Sequence, residues 1–186
     1  MTVVAVVLVV VLLVVVSVVV SYNRFIEQQQ LVDNAWANVD TELRRRYDLI
    51  PNLVATVKGY ASHEESVLRA VVEARAEAVA TDGAVHDQEG PERELVGSLK
   101  SLLALQEAYP DLKADQHFLE LQKELAITED RIQAARRLFN ANVRDLNRRV
   151  ESVPSNIVAL LTHVERRAYF EIEPAIRDGA PPSVET

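Results

Sequence analysis

Asp40, Arg44 and Asp48 are the residues of this chain best spaced for chemistry. They stand four apart, so a helix places them on one face, with each acid beside the base. Arg45 and Arg46 adjoin them and could hold an anion. Lys58 and His63 follow the next proline, Pro51, where a kink can open a pocket or a partner groove. Asp40, Arg44, Asp48, Lys58 and His63 are therefore the candidate polar or partner site. The competing reading is a solvated ion-pair ladder that supports its helix by a few tenths of a kcal/mol per pair. A second basic group, Arg136, Arg137, Arg144, Arg148 and Arg149, recurs later. Arg137, Arg144 and Arg148 can share one side and meet anionic lipid or an acidic partner, or form a solvent face paired with Glu129, Asp130 and Asp145. His63, His86, His117 and His163 include no H-E-x-x-H pair, and His63-Glu64 has nothing to complete a metal pattern. The carboxylate pairs fall on polar helix faces. There is no glycine-rich phosphate loop, G-x-S-x-G elbow or dinucleotide fingerprint. No catalytic residue, metal or cofactor is expected, and the chain is not expected to be an enzyme.

The elements that position these residues begin with a span. Val3 to Val20 is apolar except for Ser17, long enough to cover most of a hydrocarbon core of roughly 30 Å. In lipid a single span must satisfy its own backbone, so helix is the conformation open to it despite the valines. A cleaved signal is the competing reading. The length of the run and the lack of a basic stretch before it favour a retained anchor. Arg24 and the Arg44–Arg46 triplet follow the span, so the positive-inside rule puts the N-terminus outside and the following domain in the cytoplasm.

The 186 residues carry a net charge of −8 and no cysteine. An acidic balance argues against nucleic acid as a partner, and the missing cysteines exclude disulfides and thiolate ligands. Phe25, Val32, Trp36, Val39, Leu43, Tyr47 and Ile50 recur at helical steps, with Trp36 read as a core anchor, before Pro51 kinks or restarts the helix. Ser62 and Glu65 read as a capping box. It opens a helix that turns Val67, Leu68, Val71, Val72, Ala74 and Ala78 inward. Thr81 to Gly90 reads as the longest loop. A third helix starts at Pro91 and carries Leu95, Leu99, Leu102 and Leu103 to a bend at Tyr109-Pro110. A fourth runs from about Ala114 to Val150 on a near-heptad rhythm through Phe118, Leu125, Ile132, Phe139 and Leu146. A short one from Ser155 carries Ile157, Leu160, Leu161 and Val164. The expected fold is all-α: an N-terminal transmembrane helix (1–21), then an antiparallel helical bundle of about four long helices (22–173), then a disordered tail (174–186).

Ala35 to Glu64, AWANVDTELRRRYDLIPNLVATVKGYASHE, resembles the signature of the LemA family. Val71, Ala74, Arg75 and Ala78 match its V-x-x-A-R-x-x-A continuation, and Leu138 to Asn147, LFNANVRDLN, is similar to its Y-N-x-x-V-x-x-Y-N segment. Pro154, Asn156 and Ala159 fit the motif that follows. Where family members carry late tyrosines and a Gly-Phe pair, this chain has Leu138, Leu146 and Leu161-Thr162-His163. The resemblance implies a single-pass protein with a cytoplasmic helical bundle and no established enzyme activity. Two functions stay open: a membrane-tethered scaffold or adaptor with protein partners, or a ligand sensor or enzyme with a polar pocket in the bundle. Self-association is a third arrangement, although the span has no G-x-x-x-G motif to specify it.

Overall fold

The computed structural model describes residues 1–81 and 85–171, apart from the side chain of His86. The tail expected at 174–186 lies outside the described residues. Among them the chain is helical, without strands. Its helices are α1 (Thr2–Tyr60), α2 (Glu65–Ala80), α3 (Val85–Ala104), α4 (Pro110–Ala114), α5 (Gln116–Glu151) and α6 (Ser155–Thr162), with a 3-10 turn at Leu105–Glu107. The chain divides into two units: Met1–Ala37 with Arg137–Tyr169, and Asn38–Arg136 with Phe170–Thr186. Helices α1 and α5 each contribute to both.

α1 is one helix of 59 residues with Pro51 inside it. Its length is roughly 90 Å at the α-helical rise. The large apolar side chains from Val3 to Val20 all stand exposed, and the span they form is long and apolar enough to cross a membrane. A row of bare valines on that scale marks a surface for a membrane or another apolar partner.

In the first unit, Phe25, Val32 and Ala35 of α1 are buried together with Phe139, Val143 and Leu146 of α5. Trp36 stacks tilted on Phe139, ring centres 5.4 Å apart, and Asn142 donates to the Leu31 carbonyl at 3.1 Å. α1 and α5 thus run antiparallel here. After α6 the chain doubles back, and Asn147 grips Arg167 through both its amide atoms at 2.9 Å. α6 ends at His163, whose φ of 55° is the left-handed conformation that usually calls for glycine.

The second unit buries Val39, Leu43, Ile50, Leu53 and Val57 of α1. Against these lie Leu68, Val71 and Ala74 of α2, Leu95, Leu99 and Leu102 of α3, and Phe118, Leu121, Leu125 and Ile132 of α5. Two boundaries differ from those expected. α2 starts at Glu65, with Glu64 rather than Ser62 at the cap position and no side-chain cap bond. Glu64 instead accepts a hydrogen bond from Tyr109 at 3.1 Å. α3 starts at Val85, before Pro91, so residues 85–90 are helical where a loop was expected; residues 82–84 lie outside the described residues. Tertiary bonds hold that first turn: Gln88 donates to the Ala78 carbonyl at 3.3 Å and to the Tyr47 hydroxyl at 3.2 Å.

Candidate functional site

The sequence-derived candidates lie on the outside of the second unit. Arg44 meets Asp40 at 2.8 Å, with side chains 69% and 41% exposed. Asp48 and Lys58 stand exposed farther along α1, and His63 is exposed in the turn after it. The structure brings Asp40 and Arg44 together and spreads the other three along the surface. In high dielectric such a pair contributes little.

The buried charge is elsewhere. Arg46 is 0% exposed, Glu92 0% and Glu129 2%. One guanidinium nitrogen of Arg46 donates to Glu129 at 2.9 Å, and another meets Glu92. The Tyr47 hydroxyl donates to the same Glu92. α1 places Arg46 and Tyr47, α3 places Glu92 and α5 places Glu129, and Gln88 of α3 adds an amide donor to Tyr47. Burial pushes the Tyr47 phenol above its ordinary value near 10, against the opposing pull of the Gln88 hydrogen bond and the Arg46 charge. Glu129, expected on a solvent face, is instead buried, and Glu92 is enclosed with it.

The missed signal was register. Arg46 falls seven residues after Val39 and seven before Leu53, on the buried seam of α1. Glu92 precedes Leu95 by three and Leu99 by seven. Glu129 stands between Leu125 and Ile132 at helical steps. A charge at a seam position is a buried charge, and here two carboxylates from two helices share the guanidinium of a third.

A raised phenol value links stability to alkaline pH. Below pH 10 Tyr47 is neutral in both the folded and unfolded chain. Above it the unfolded phenol ionises first, so stability falls as pH rises toward the folded value. The full-length protein is expected to melt lower at pH 11 than at pH 8, and Tyr47→Phe to reduce that difference. An equal loss in both proteins would show that Tyr47 is not the linked group.

Pro51 removes the amide that would bond to the Tyr47 carbonyl one turn earlier. That carbonyl instead accepts from Arg75 Nε of α2 at 2.7 Å. The proline inside α1 and the arginine of the V-x-x-A-R-x-x-A motif are thus two halves of one device. At the end of the unit, Asp115 accepts from the Phe118 amide at 2.7 Å and from the Tyr60 hydroxyl at 2.8 Å. These two donors, the amide first, hold its carboxyl below the ordinary range. Among the described residues no three His, Asp or Glu side chains gather to hold a metal ion.

A bare apolar span on a helix that continues into a charge-locked helical unit defines a membrane-associated, all-helical protein. The chain belongs to the LemA family, whose pattern matches residues 35–185. It is similar to Magnetosome protein MamQ of Magnetospirillum gryphiswaldense, 25% identical over 179 aligned residues that cover 83% of this chain and 66% of the relative. Protein LemA of Metamycoplasma hominis is 25% identical over 152 residues, covering 80% of this chain and 68% of that protein. The chain therefore spans just under two thirds of the magnetosome relative's length.

Proposed function

We propose that this protein is a single-pass membrane scaffold or adaptor, with its N-terminus outside and its helical domain in the cytoplasm, and that it acts by binding other proteins rather than by catalysis. The observation that carries this reading is the exposure of the Asp40–Arg44–Asp48 face on α1, the same helix that carries the span. A tethered surface raises the effective concentration of whatever binds it. The charged interior supports the reading in a second way. Arg46, Glu92 and Glu129 are sealed from solvent, which makes them suited to holding helices in place and unsuited to meeting a substrate.

The test is in-cell cross-linking of the tagged full-length protein, read by mass spectrometry. The expected result is a small set of proteins linked repeatedly through residues 38–136, with links lost in Arg44→Glu while the melting curve is unchanged. Links only between copies of this chain, or none above background, would overturn the adaptor reading and point to self-assembly or a small ligand.

A further inference from the structure

The first unit has features that protein packing alone leaves unexplained. α6 is uncharged, SNIVALLT, and its apolar residues point the wrong way for a core helix. Val158 and Ala159 are buried, but Ile157 is 58% exposed, Leu160 79% and Leu161 68%, and Val153 just before the helix is 79% exposed. α6 lies beside the span. A groove of about 890 Å³ runs between the two. Leu13, Val14, Val18 and Ile157 line its apolar part. Arg24, Arg148 and Arg149 line its polar part, with Asp145 as the one carboxylate. The Nε of Arg149 and the Oε1 of Gln28, both on groove-lining residues, are buried without a hydrogen-bond partner.

We propose that this groove binds the headgroup and upper acyl chains of an anionic phospholipid, and that the exposed face of α6 dips into the same bilayer surface. The argument is continuity. The residues from Leu13 to Ser21 that wall the groove belong to the span, so lipid already surrounds them. A free phosphate would satisfy the arginines but leave the apolar half empty, whereas a phospholipid fills both. Three arginines against one carboxylate select a negative headgroup. Arg148 and Arg149 also suit the negative end of α5. That role explains neither Arg24, which comes from another helix, nor the outward leucines. A helix with a bare apolar side beside a span turns that side toward the bilayer surface, where the leucines lose less than in water. This inference rests on the membrane anchor and not on the adaptor role.

The test uses full-length protein in detergent, equilibrated with equal amounts of phosphatidylglycerol and phosphatidylcholine and read by native mass spectrometry. Retention of phosphatidylglycerol over phosphatidylcholine by roughly tenfold is expected. Arg24 and Arg148 are exposed, so Arg24→Gln/Arg148→Gln should keep its helical signal while the preference collapses toward one. Excess inorganic phosphate should not displace the lipid. Equal retention of the two lipids, a preference unmoved in the double variant, or displacement by phosphate alone would each overturn the headgroup site. The α6 contact has its own readout. In vesicles containing phosphatidylglycerol, Leu160→Trp in a Trp36→Phe chain should be quenched by lipids brominated high on the acyl chain. Absence of quenching would remove α6 from the membrane surface.

Discussion

Replacing Arg46 with alanine in the full-length protein will lower its stability by about 3–5 kcal/mol, because the buried Glu92 and Glu129 then lose the guanidinium they share. For a chain of this size that is a fall in melting temperature on the order of 10 °C, measurable as loss of far-ultraviolet helical signal in detergent. Arg46→Lys should lie between, since an ammonium keeps the charge but lacks the planar fork that reaches Glu129 and Glu92 from one side chain. Removing all three charges, as Arg46→Met with Glu92→Leu and Glu129→Met, should restore most of the loss. A melting temperature for Arg46→Ala equal to wild type would mean that water reaches the carboxylates and the cluster is not sealed. The cluster contributes register rather than raw stability. If α1 slipped by one heptad, Val39 or Leu53 would face two carboxylates and Arg46 would face leucines.

The second large effect comes from Pro51. A proline inside a helix costs up to about 3 kcal/mol relative to alanine, and here Pro51 is exposed, so burial of its ring offsets little of that. Pro51→Ala is expected to raise the melting temperature, less a part lost because the unfolded chain also becomes freer. Arg75→Ala alone should cost about 1–3 kcal/mol, the penalty for leaving the Tyr47 carbonyl without a donor. In the Pro51→Ala background the same change should cost much less, because residue 51 again supplies the amide. The coupling between the two substitutions is the quantity to measure. Simple additivity would mean that Arg75 supports the unit in some way other than by capping Tyr47.

The span, the all-α class and most of the inward residues were legible because each follows from local periodicity, as Val39–Leu43–Ile50 and Leu95–Leu99–Leu102 show. The continuity of α1 past Pro51 was not, since it depends on Arg75 arriving from α2, a contact 28 residues away that no window along α1 contains. The early start of α3 fails to show for a similar reason, Gln88 being held by Tyr47 and Ala78. The burial of Glu92 and Glu129 does not show in their charge, because position on the seam decides it. Only position separates Arg46 from Arg44 and Arg45, and in the fold that difference moves a side chain from 69% exposed in Arg44 to fully enclosed. α6 was legible as a helix, but its outward face was not. Leucines in a short amphipathic segment read as core unless the neighbouring element is known to be a membrane span.

Trp36 is the chain's only tryptophan, and it stacks on Phe139 within the first unit. Excited at the red edge, where its five tyrosines do not absorb, the protein therefore has one reporter, confined to the pairing of α1 with α5 in that unit. Its emission reports whether those two helices remain together, whereas circular dichroism follows every helix at once. Coincident melting curves from the two signals would describe a single cooperative transition. Separated curves would give the two units their own stabilities, without a label or a truncation.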